Sequence, residues 1–343
     1  MSAKLVPPDI VIEDVAEAHW DQRLLAAGDP HPFQSSGYAA CLAAGGSRIL
    51  PLELRNAHGP VGWCSVAVGP DGLAHWLYGP VTPRHPPLAY DRVLGALLRH
   101  LPRAGIKGVA YATTQVRYEG EEERWVHPCC AGTGATPVVD LRGSGEALFR
   151  SFHASVRKNV RKCERAGVQV DFTDDPLAVA RYARLVRGYR ERLRLPLPPF
   201  FPQEPLLPFF SRPSTRMLVA LARVGGEDLA GLGLLIFGRV VVEVGVGQTD
   251  SYEARQLPAH DLIKAAVAEQ CRAQGLAFYD VAGIRKEPRS EKEANIRRFK
   301  LKFAGRCAEF AVIDRWMLSP LGAVTRRVVR RVRRLLPFSV SHG

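Results

Sequence analysis

The chain has 343 residues, 46% of them hydrophobic, an ordinary globular composition long enough for two domains. Lysine and arginine outnumber aspartate and glutamate by 47 to 34, a formal net charge of +13. That surplus attracts anions over a Debye length of about 8 Å and favours phosphate-bearing partners: nucleic acid, nucleotide-linked sugars or acidic lipid. Seven cysteines without a CxxC pair argue against a zinc cage, and no metal or redox cofactor is expected. No run approaches the ~20 apolar residues that span a bilayer, and "MSAKLVPPDIVIED" does not resemble a signal peptide. A reduced, cytoplasmic protein is expected.

In chain order, Trp20 to Cys41 reads as helix, loop, helix, with Ser35 or Ser36 as the cap of the second helix. "RILPLELRN" and "GPVGWCSVAVG" alternate as paired strands do, and "AHWLYGPVTP" reads as a third strand ended by Gly79 and Pro80. Tyr90 to Leu101 fits an amphipathic helix, with a strand at "GVAYATT" after it.

A second unit opens at the strand Thr136 to Leu141. The spacing then predicts one long helix whose buried stripe is Phe149, Phe152, Val156, Val160 and Cys163. Arg150, Arg157, Lys158, Arg161, Lys162 and Arg165 take its other faces, and Gly167 suits a left-handed stop. "VQVDF" is a strand and Leu177 to Leu193 a helix. "LPLPPFFPQEPLLPFF" is neither regular helix nor central strand; it fits a covering loop and the wall of a substrate groove equally well. Three strands follow, "RMLVALARV", "LAGLGLLIFG" and "RVVVEVGVGQ", then the helix "PAHDLIKAAVAEQCRAQG" and the strand "FYDVAG". This order resembles a GNAT acyltransferase core, and the looser likeness between the two halves fits an internal duplication.

"SVRKNVRKCERAGVQV" resembles the basic helix of the Fem family of peptidoglycan-bridge aminoacyltransferases. "VDLRGSGEALFRSF", "FYDVAGI", "NIRRFKLKFAG", "HPFQSSGYAA" and "YGPV" resemble other parts of that family, over most of Pro32 to Val312. The resemblance implies an α+β fold of two tandem GNAT-like domains with mixed central sheets. The first domain would span residues 1–135, completed by 313–335, and the second 136–312. It implies transfer of an aminoacyl group from aminoacyl-tRNA, or another anionic acyl donor, to an amine of a peptidoglycan or other cell-envelope precursor.

Amide formation from an ester needs a neutral amine held close to the carbonyl and a stabilised oxyanion. The resemblance places the family's important lysine at Lys300, which would face that oxyanion or the leaving ribose. Phe299 beside it would stack on a base of the donor, or serve as a core aromatic. "RRFKLKF" also alternates as a strand would, with Phe299, Leu301 and Phe303 inward and Lys300 and Lys302 opposite. Asp280, at a strand end, would orient the substrate amine or cap the next turn. Arg157, Lys158, Asn159, Arg161 and Lys162 would hold phosphates, unless they form only a solvated face. His260 is a weaker candidate for a general base, and Asp261 suits a helix start.

Two further functions stay open. In GNAT enzymes an acyl-CoA pyrophosphate sits on a Gly-rich turn, but here the stretch reads "ARQLPAHDLI", where Pro258 has no N–H to offer. An acyl-CoA N-acyltransferase acting on a polysaccharide or small-molecule amine therefore ranks below an aminoacyl donor. A non-catalytic RNA-binding protein on the same scaffold is the other alternative. Residues 318–335 form a basic amphipathic pattern, with Arg326, Arg327, Arg330 and Arg331 beside an apolar stripe. It suits an anionic membrane surface, with docking on the first domain or nucleic-acid binding as alternatives, and makes a peripheral location on the inner membrane face an expectation.

Overall fold

The structure is a computed structural model and describes residues 10–16, 18–83, 90–119, 129–198, 200–250 and 256–318. The basic pattern carrying Arg326, Arg327, Arg330 and Arg331 lies outside the described residues. The chain divides into two compact units. One holds the described residues of 1–116, 123–133 and 310–343, the other those of 117–122 and 134–309.

The first unit contains β1 (Val11–Asp14), α1 (Trp20–Ala27), α2 (Ser36–Ala44), β2 (Arg48–Asn56), β3 (Gly59–Val68), β4 (Leu73–Trp76), α3 (Tyr90–His100) and β5 (Gly108–Thr113). Its sheet runs β1-β2-β3-β4-β5 and ends on the stretch of a late strand from Phe310 onward. Among the described residues of this unit only β4 and β5 pair in parallel. Ser35 is the cap of α2, accepting from the Tyr38 amide. The core gathers Leu52, Leu54, Cys64, Val66, Val93 and Leu97, the apolar faces that the alternation and the helical period predict. Beyond the parallel pair the chain is closed: the Tyr78 amide donates to Thr113 Oγ1 at 2.7 Å, and the Gly79 amide to the Thr113 carbonyl at 3.1 Å.

The second unit contains β6 (Cys130–Asp140, from Gly134), α4 (Gly145–Ser151), α5 (Ala154–Arg165), β7 (Gln169–Thr173), α6 (Pro176–Arg192) and the short α7 (Leu207–Phe210). It continues through β8 (Thr215–Val224), β9 (Glu227–Phe237), β10 (Val240–Gln248), α8 (Ala259–Ala273), β11 (Phe278–Asp280), β12 (Ile284–Arg285) and α9 (Glu291–Leu301). A last strand, β13 (Arg306–Met317), had no counterpart in the sequence reading; its residues from Phe310 belong to the first unit. The sheet of the second unit runs β6-β11-β10-β9-β8-β7. β10 and β11 are parallel, and the other pairs are antiparallel.

Two expectations are corrected here. The long basic helix is two helices, α4 and α5. Phe152 is extended, the His153 amide leaves the helical ladder to donate to the Lys302 carbonyl at 2.9 Å, and the His153 imidazole becomes the cap of α5 by accepting from the Ser155 amide. The apolar stripe survives the break, because Phe152 packs edge-on against Phe303 while Val156, Val160 and Cys163 stay buried. "RRFKLKF" is not a strand. Ser290 caps a helix there by accepting from the Glu293 amide, and the run belongs to α9 and the turn after it. Phe299 near the end of that helix and Phe303 in the turn after it pack edge to face, with ring centroids 5.7 Å apart.

The proline-rich segment is a cover. Phe201 and Phe210 are buried, Phe201 in a cluster with Val179, Tyr182 and Val186 of α6. Tyr182 also shapes β10. Its hydroxyl donates to the Val244 carbonyl at 3.0 Å, where the β9–β10 register shifts between Glu243 and Val246 and Gly245 adopts φ +84°. A bulge of this kind bends a strand and strengthens its twist. Gly247 lies against the backbone of α6, where an added Cβ would come within 2.6 Å of the Val186 nitrogen. Gly247→Ala is therefore expected to cost about 1–3 kcal/mol, read as a lowered midpoint in urea unfolding.

Candidate active site

In the second unit β10 and β11 pair over only three residues, Val240–Val242 with Phe278–Asp280. β10 then runs on through its bulge while β11 stops, so the two parallel strands part at their carboxyl ends, the usual place for a ligand in an open α/β sheet. This fork collects a group of side chains that lie far apart in the sequence.

Asp280 ends β11. It is 1% exposed and accepts from the Tyr118 hydroxyl at 2.9 Å, from Thr136 Oγ1 and from the Ala282 amide at 2.8 Å. Burial pushes its carboxyl up to about 6 against the opposing pull of those three bonds and the nearby Lys300 charge. The bond to the Ala282 amide fixes the turn after β11, in which Ala282 takes φ +62°. Lys300 completes that turn: its Nζ donates to the Ala282 carbonyl at 3.0 Å and the Gly283 carbonyl at 3.3 Å. An ammonium has three N–H groups, so one remains for a substrate oxygen. Burial lowers Lys300 to about 8; Glu243 and Asp280 hold its proton on, and Lys264 works against them.

Glu243, the residue just past the parallel pairing, carries a carboxylate that receives both the Lys264 ammonium of α8 and the Tyr279 hydroxyl of β11. Sequence reasoning passed over all three. Phe299 is half-buried against Phe303, with the Lys264 and Lys302 ammonium groups each 5.8 Å from its ring centroid, which makes it a packing aromatic inside a cationic surround.

The basic helix is only in part an open cationic face. Arg157 donates to the carbonyls of Arg150 and Phe152, which closes the carboxyl end of α4. Lys162 donates to the Gln256 carbonyl at 2.8 Å, and Asn159 donates to Asp261. Lys158 and Arg161 are exposed. At the start of α8, Pro258 has no N–H, while the Ala259 amide donates to the Leu257 carbonyl at 2.8 Å and the Asp261 amide to the Pro258 carbonyl at 3.0 Å. The buried Asp261 carboxylate stands in the same turn, raised by burial. His260 is half-buried, and loss of hydration and the Lys264 charge drive it down to about 3, so it is neutral and a poor proton acceptor.

Residues 150–292, all within the second unit, match the family model described as acetyltransferase (GNAT) domain. Solved structures share the fold of the chain more widely. FemX aligns with 88% of this chain and 96% of its own, at 11% identity and a TM-score of 0.64. L-PGS from Bacillus licheniformis aligns with 93% of this chain and 97% of its own, at 14% identity and a TM-score of 0.55. The C-terminal domain of a protein named as a lysylphosphatidylglycerol synthetase in Agrobacterium fabrum covers 92% and 97%, at 13% identity and a TM-score of 0.54. No curated protein sequence matches the chain. The expected α+β class with mixed sheets is therefore the observed one, and the resemblance to the Fem family holds at the level of fold.

Proposed function

We propose that the chain is an aminoacyltransferase that joins an activated aminoacyl group, carried by aminoacyl-tRNA, to an amine of a peptidoglycan or other cell-envelope precursor. The observation that carries this is the position of Lys300. A half-buried ammonium is fixed by two carbonyls at the fork of a GNAT domain, with one N–H left over. As the amine attacks the ester carbonyl, the carbonyl oxygen gains charge, and that N–H stabilises it without moving. The leaving ribose oxygen takes up the proton the amine gives away. The turn that seats Lys300 is held by Asp280, which acts by positioning. Lys158 and Arg161 are two of the exposed cations of α5, and they suit donor phosphates.

The start of α8 supports the choice of donor. With Pro258 lacking an N–H, the Ala259 and Asp261 amides bonded within the chain and a carboxylate in the first turn, it is poorly built to hold a pyrophosphate. Membrane contact remains part of the proposal through residues 318–335; among the described residues no helix is long and apolar enough to cross a membrane. The acetyltransferase family match favours one second reading, an acyl-CoA donor. Purified protein would be incubated with tRNA carrying a labelled amino acid, or with labelled acetyl-CoA, plus a precursor bearing a free amine. Label reaching the precursor from the tRNA is the expected result. Label from acetyl-CoA alone would replace the proposal with the second reading.

The pH profile gives a second check. A cationic Lys300 is required, so the rate is expected to fall as pH rises through about 8. The folded state binds less proton at Lys300 than the unfolded chain between about 8 and the ordinary lysine value. Its contribution to stability therefore grows over the same window. Loss of rate above pH 8 without loss of fold, followed by circular dichroism, separates titration of this lysine from alkaline unfolding.

A further inference from the structure

The Glu243, Lys264 and Tyr279 side chains are 5%, 2% and 0% exposed and come from three elements, β10, α8 and β11. All three meet at one carboxylate oxygen, Glu243 Oε1, at the point where the parallel strands separate. The Lys264 ammonium also lies 5.8 Å from the ring centroid of Phe299 and 5.9 Å from that of Phe303, the two aromatics that bracket Lys300 in the chain. A buried ion pair is poor value for folding alone, because its desolvation offsets its attraction and apolar residues of similar volume often do as well. Its place at the fork, beside the turn that seats Lys300, calls for another account.

We propose that Glu243, Lys264 and Tyr279 are a positioning network that fixes how Lys300 presents its ammonium to the substrate. The inference rests on the role given to Lys300 above. The charged groups that bear on Lys300 are Glu243 from β10, Lys264 from α8 and Asp280 from β11, with the carbonyls of Ala282 and Gly283 in contact. Asp280 is itself held by Tyr118 and Thr136; Asp261 and the neutral His260 share the first turns of α8 with Lys264, and Lys302 follows Lys300. Tyr279 holds the Glu243 carboxylate in one orientation, so the two opposite charges act on Lys300 from fixed positions. Glu243 favours the protonated amine and Lys264 disfavours it.

The test uses the full chain labelled with ¹⁵N at lysine Nζ, with the Lys300 signal assigned by its loss in Lys300→Met. Its titration is followed in wild type, Glu243→Gln, Lys264→Met and the double variant, beside the pH profile of transfer. Glu243→Gln should move the titration to lower pH and Lys264→Met to higher pH, each by about one unit, with the double variant between them. A general disturbance of packing would not produce opposite signs. Should Lys264→Met fail to fold, Glu243→Gln and the double variant decide the matter by the same ordering. Unmoved titration, or movement of both single variants in one direction, overturns the network. Opposite shifts without transfer from any donor would keep the network and reject the aminoacyltransferase reading. Transfer with an unmoved Lys300 would do the reverse.

Discussion

Lys300→Met should lower kcat for transfer by about 10²–10³-fold, the usual effect of removing one preorganised oxyanion donor, with KM for either substrate little changed. Two of the three N–H groups of Lys300 are spent on the Ala282 and Gly283 carbonyls, which fixes the direction of the third. Methionine keeps the length of the chain and removes the donor. The two carbonyls sit beside a half-buried side chain that water can reach, so stability should change by only about 1 kcal/mol. Steady-state rates beside a urea melt separate the two effects. A Lys300→Met protein that transfers as fast as wild type would remove this lysine from the chemistry. Lys300→Arg should recover little, because a planar guanidinium cannot place its donors on the two carbonyls as an ammonium does.

The largest loss of stability is expected from Lys264→Met. Glu243 is then left as a buried carboxylate whose remaining partner is the Tyr279 hydroxyl, and breaking a buried pair on one side costs about 3–5 kcal/mol. The companion Glu243→Leu/Lys264→Met variant removes both charges and should regain most of that loss. The two sites are in contact and so do not add independently. Urea midpoints of the two single variants and the double complete the cycle. A double variant as unstable as the sum of the singles would mean that the pair does not interact in the folded state.

These two variants lie at opposite ends of what the sequence disclosed. The Phe-Lys pair at Phe299 and Lys300 was visible through its resemblance, although the local alternation of "RRFKLKF" pointed to a strand. The Ser290 cap and the pairing of Phe299 with Phe303 outweigh that alternation. Glu243 and Lys264 were missed, yet each left a trace. "VVVEVGVG" and "LIKAAVA" each hold one charge in an otherwise apolar run. A charge in a fully buried strand and an opposite charge in a buried helix face imply each other, since neither is buried cheaply alone. The basic helix presents the opposite case. Its charges were plain, but three of the five chosen residues proved to be occupied: Arg157 on the end of α4, Asn159 on Asp261 and Lys162 on Gln256.

By itself the sequence determined most of the elements and their buried faces, though not β13, α9 or the break between α4 and α5, because hydrophobic period, caps and glycine stops act over a few residues. The stripe Val156, Val160, Cys163 and the cap Ser35 are of this kind. Only the tertiary structure decided which charges meet. Glu243, Lys264, Asp280 and Lys300 come together because β10 and β11 lie side by side in parallel and part after three residues, with α8 between them in the chain. Ion pairs and hydrogen bonds depend on distance in space, and no local period records which distant strand will supply the partner.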